Sequence, residues 1–147
     1  MNQMYPRGRE RLATAANWIS GNIQCALVVI GRAEFDPAHQ TGADIFGANP
    51  SLAFPAGVFL GGKAASNAAA TPGWLDANDV QFTGLGGLAT LPIRCVLLLE
   101  GATFGAANLL AYFDEERSGV PINIAMPGDG VVNIAWATLA NGGIMQL

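Results

Sequence analysis

Apolar residues recur with helical spacing near the start of the chain, where Leu12, Ala15, Ala16 and Ile19 fall at i, i+3, i+4 and i+7. Pro6 suits a first helical turn, and Arg9, Glu10, Arg11, Leu12 and Ala13 are good helix formers. The stretch Pro6–Trp18 therefore predicts one short amphipathic helix. Ser20, Gly21 and Asn22 stop it, and Ile23–Ile30 (IQCALVVI), rich in β-branched residues, predicts a buried strand. From residue 31 to 77 the period is lost. Short apolar bursts are punctuated by glycines and by Pro37, Pro50, Pro55 and Pro72, a pattern that predicts a long, irregular, surface-lying excursion with one short strand at Val58–Lys63. Within it, Ala64–Ala70 suits a helical turn or an extended arm, and its composition does not choose between them.

Beyond Asp79 the pattern is that of strands. Val80–Thr83 reads as a short one, Leu91–Glu100 (LPIRCVLLLE), a continuous apolar run, as a central strand, and Asn108–Asp114 as its neighbour across the loop at 101–107. Ile122, Ile124 and Met126 alternate with smaller or polar residues, as do Val132, Ile134 and Trp136, and Pro127-Gly128-Asp129-Gly130 lies between the two runs. Two period-two runs joined by such a turn predict a hairpin. Asn141-Gly142-Gly143 then returns the chain as a last strand, Ile144–Leu147. The expectation is a single mainly β domain over residues 1–147, an antiparallel β-sandwich or meander. It comprises an N-terminal helical segment (1–22), the loop excursion (31–77) and a β-meander (79–147).

Composition narrows the function. The 147 residues are 51% hydrophobic and 12% charged, with 7 basic and 11 acidic side chains. So apolar a chain can bury enough surface to offset its ordering entropy, which excludes intrinsic disorder. A net charge of −4 gives no electrostatic footprint for nucleic acid. No apolar run approaches the roughly 20 residues that span a bilayer. The first residues, with Pro6 and their charges, show no export signal, so synthesis in the cytoplasm is expected. Small soluble domains carry roughly 25–35% charge on their surface. A deficit of this size predicts uncharged surface that meets a partner, and an oligomer or assembly component.

Candidate chemistry is sparse. Cys25 and Cys95 each sit centrally in an apolar strand and read as buried free thiols, and no Cys/His cluster suggests zinc. His39 has Glu34, Asp36 and Asp44 nearby without a ligand spacing, which fits a solvated loop histidine better than a base or metal site. Ser20, Ser51, Ser66 and Ser118 lie in no nucleophile-elbow context. Gly84–Ala89 (GLGGLA) imitates a dinucleotide fingerprint, but a strand and not a helix follows it. Asp114, Glu115 and Glu116 read as a solvated turn and not as a catalytic carboxylate pair. No residues are assigned to catalysis, a cofactor or a metal, and no enzyme is expected. Trp18 reads as docked on the sheet, Trp136 as core and Trp74 as free to contact a partner or a sugar.

Four stretches carry a resemblance: MYPRGRERLATAANWISGNIQCALVV, WLDANDVQFTGL, LLAYFDEERSGVPIN and VNIAWATLANGGIMQL. In this order, through Tyr5, Gly8, Arg9, Glu10, Ala26, Leu27, Val28, Asp79, Val80, Phe82, Tyr112, Asp114, Gly119, Pro121, Trp136, Asn141 and Gly142, the chain resembles a family of small tailed-bacteriophage virion proteins. Residues 31–77 depart from the pattern, and Ala137-Thr138 stands where the family has Asp-Asn. The resemblance implies a capsid decoration (cement) protein on the outside of the head, with the major capsid protein as partner and no nucleic acid or membrane. Its alternative is a neck, tail or fibre-attachment protein. A carbohydrate-binding β-sandwich module on the particle is a further alternative, resting on Trp74. Three-fold capsomer junctions favour a trimer by geometric analogy. The expected contacts are Phe35, Phe46, Phe54, Phe59 and Trp74 in the excursion, with Arg7 and Arg11 on the helix facing acidic partner surface.

Overall fold

The computed structural model describes residues 2–13, 15–29, 35–46, 53–66, 73–85, 92–125, 128–137 and 144–146, with the backbone alone at 15, 16, 29, 46, 53–56 and 146. In chain order the elements are β1 (Gln3–Met4), α1 (Pro6–Arg11), α2 (Ala15–Ser20), β2 (Ile23–Val29), α3 (Gly42–Phe46), β3 (Ala53–Phe59), β4 (Ala64–Ser66), β5 (Trp74–Asp76), β6 (Val80–Phe82), β7 (Ile93–Glu100), a 3-10 turn (Phe104–Ala106), β8 (Asn108–Phe113), β9 (Val132–Ile134) and β10 (Met145–Gln146). They form a five-stranded antiparallel sheet in the order β1-β8-β7-β2-β3, a three-stranded sheet β10-β5-β4 and a two-stranded sheet β6-β9. The protein is mainly β, as its patterning predicts.

The large sheet is buried on both faces, which is why β2 and β7 read as continuous apolar runs. On one face Ile23, Cys25 and Leu27 of β2 and Val96 and Leu98 of β7 pack against Trp18, Leu75, Val80, Phe82 and Val132. This side faces the two smaller sheets. On the other face Ala26, Val28, Cys95, Leu97 and Leu99 pack against Tyr5, Ile45 and Ala107, with Phe35 and Phe104 at the margin. Cys25 and Cys95 are thus buried free thiols on opposite faces of adjacent strands. In β8 the register slips between Leu98 and Leu99, placing Leu110 as an extra residue between Leu109 and Ala111.

The N-terminal helix differs from its expected span. It breaks after Arg11, and α2 starts at Ala15. Leu12 and Trp18 are both fully buried in the same core. Six residues apart, they would stand roughly 120° apart around one straight helix, so the break is what brings both inward. Trp18 also donates its indole N–H to the Asp76 carbonyl at 3.0 Å. Gly8 lies against β8, where a Cβ would collide with the Leu110 carbonyl.

The excursion contains more structure than its sequence suggests: α3, β3, β4 and β5 lie within it. The strand expected at Val58–Lys63 ends at Phe59, since Leu60 turns into the core and donates its N–H to Ile23 at 2.8 Å. Ala64–Ser66 is extended and pairs with β5, and residues 67–70 of the alanine run lie outside the described residues.

The last third departs most from expectation in its pairing. β9 pairs with β6 through Val80↔Ile134 and Phe82↔Val132, and β10 pairs with β5 through Met145↔Leu75. Ile124 exchanges two backbone hydrogen bonds with Ile93, at 2.9 and 3.0 Å. Among the described residues the two runs expected to form a hairpin therefore each find another partner. The hairpin that does form is one step earlier, where Glu115 bridges Pro121, Ile122 donates to the Asp114 carbonyl at 2.7 Å and Gly119 takes φ +80°.

The two edges of the large sheet are closed differently. β8 is covered by β1, by the Tyr5 N–H on the Leu110 carbonyl and by the Gln40 carbonyl on Leu109 N–H. β3 forms the opposite edge. There Pro55, Ala56 and Gly57 stand across from Ala26 in a bulge, a pairing that bends the strand and carries a proline without a donor.

Candidate functional site

Among the described residues, a trench opens where the smaller sheets leave the large one uncovered. Its floor includes Val96 and Phe113, which face each other across β7 and β8 on the core side of the large sheet. One wall is the end of β9 and its continuation, Asn133–Ala137, and another comes from Ile122 and Ile124. Ile144, at the entry to β10, completes the enclosure. The cavity measures about 520 Å3. A second hollow of about 240 Å3 shares Asn2, Phe113 and Ile144 with it and is lined further by Gln3, Met4, Ala111 and Met145.

Local chemistry fixes the trench residues. Trp136 follows β9, and its backbone N–H donates to the Asp79 carboxylate at 2.9 Å, which turns the chain out of the sheet. Its ring is half-buried and tilted against Phe113, with 6.0 Å between centroids. The indole nitrogen is shut off from solvent and meets no acceptor among the described residues. Charge arrives from the hairpin turn alone among the lining residues, as Glu115, Glu116 and Arg117. Asn2 ties that turn to the N-terminus by accepting the Glu115 N–H at 3.2 Å.

The residues expected to touch a partner are scattered. Arg7 donates to Asn108 Oδ1 at 3.2 Å and to Glu10 at 2.8 Å. Arg11 makes a two-pronged bond to Glu100, at 2.6 and 2.9 Å, and holds that carboxyl below its ordinary range. Phe35 packs between Tyr5 (4.8 Å) and Tyr112 (5.9 Å) and closes the second core. Phe59 is 53% exposed near the β3 edge. Trp74 is half-buried in β5 between Ser66 and Gln146. The side chains of Phe46 and Phe54 lie outside the described residues, as does Glu34. Of these, the described side chains of Arg7, Arg11, Phe35, Phe59 and Trp74 do not line the trench.

The remaining candidates serve the framework. His39 stands 3.8 Å from Asp36, whose other oxygen accepts the Ala38 N–H. Asp44 accepts from the N–H groups of Gln40 and Thr41 and from the Thr41 hydroxyl, bonds that lower its pKa. Burial pushes the Cys25 thiol up, and it pushes Cys95 up to about 12 against a hydrogen bond from Tyr112. Leu85 of the glycine-rich stretch is buried and donates to Gly130, while residues 86–89 lie outside the described set. Among the described residues no group of three or more His, Cys, Asp or Glu could hold a metal ion. No helix among them is long and apolar enough to cross a membrane.

Sequence reasoning missed the trench because Trp136 continues the alternation of Val132 and Ile134 and so reads as core. The signal was available in the uncharged run that follows Asp129: residues 130–147 hold no charged side chain. Compared with known proteins, the chain matches no family model, no curated protein and no solved structure.

Proposed function

We propose that the chain is a non-enzymatic component of a tailed-bacteriophage particle, a decoration protein that binds the outside of the head and bridges neighbouring capsomers. What supports this reading is where the resembling residues stand. Tyr5, Ala26, Leu27, Val28, Val80, Phe82 and Tyr112 are all buried, and Gly8 sits where a side chain would strike the backbone of β8. A resemblance carried in serial order by such framework positions is one of fold, and the role is taken over from the family by analogy as part of this proposal. The surface suits that role. With 12% charged residues the protein presents much uncharged surface, and many copies, each bound weakly, hold a shell by multivalency. In the same reading the copies associate with one another and with the major capsid protein.

Quantitative mass spectrometry of purified particles tests it. A ratio near one copy per capsid subunit is expected. About six to twelve copies per particle, the number a single ring supplies, would move the protein to the neck or tail and end the decoration reading.

A further inference from the structure

We draw no further inference here: the strongest candidate, the surface at the end of the fold where α2 leads into β2 and β3 ends, with Ile19 and Phe59 exposed, carries nothing because nothing in the structure shows what covers it.

Discussion

Gly8 and Leu110 meet backbone to backbone, at the point where the β8 bulge pushes its extra residue toward α1. A methyl group there has no room, and neither partner is a flexible side chain. Gly8→Ala is therefore expected to lower unfolding stability by about 2–3 kcal/mol, read as a shift in the urea midpoint at unchanged slope. The Arg11–Glu100 pair makes a pH-dependent contribution. Hydrogen bonding by Arg11 holds the Glu100 carboxyl below its ordinary range, so the stabilisation is complete above the unfolded value of about 4.3 and is lost as acid protonates the folded carboxylate. Arg11 is 40% exposed at its side chain, which limits the effect through solvent screening. Arg11→Met should cost about 0.5–1 kcal/mol at neutral pH and nothing near pH ~2; a loss equal at both pH values would assign Arg11 a packing role instead. The two thiols give a third outcome. Buried and held protonated, Cys25 and Cys95 should resist a disulfide reagent such as DTNB at about pH 8 until the chain is unfolded, when both react.

At the scale of elements, the patterning identifies strands better than it identifies their neighbours. β7 and β2 were legible because a strand buried on both faces must be apolar throughout, and β8 because it follows β7 across a short connection. The pairing of Val80–Phe82 with Val132–Ile134 was not, because period two assigns residues to faces and says nothing about which distant strand lies alongside. The helix break was hidden for a related reason: Leu12 and Trp18 have acceptable helical neighbours, and the demand that both reach one core arises only in three dimensions. Amide exchange by NMR separates the observed pairing from the expected hairpin. The Ile124 N–H, bonded to Ile93, should exchange with β7, whereas Val132 and Ile134 should exchange with β6. Common exchange of Ile124, Val132 and Ile134 as one unit would restore the hairpin.

For the whole molecule, the candidate site was less legible than the fold because it is a hollow left among the described residues and not a motif. Phe35 was expected outside and closes a core instead, since Tyr5 and Tyr112 are assembled beside it by β1 and β8 from opposite ends of the chain. Trp136 was expected inside and borders an opening, since β9 ends at Ile134 and Asp79 draws the backbone away. Low charge, by contrast, was readable at once and bears on how the protein is held. Of the three arginines in α1, Arg7 and Arg11 already bond to side chains of their own chain, which, on the proposed decoration role, leaves few cations to face acidic groups of a partner. Attachment by ion pairs between exposed groups fades as the Debye length falls from about 10 Å at 0.1 M salt to about 3 Å at 1 M. Attachment through buried apolar area does not. Occupancy on purified particles, measured after equal washes in ~0.1 and ~1 M sodium chloride, should therefore be the same. A steep loss at high salt would transfer the contact to α1, where Arg7 and Arg11 would have to exchange Glu10 and Glu100 for carboxylates of the partner.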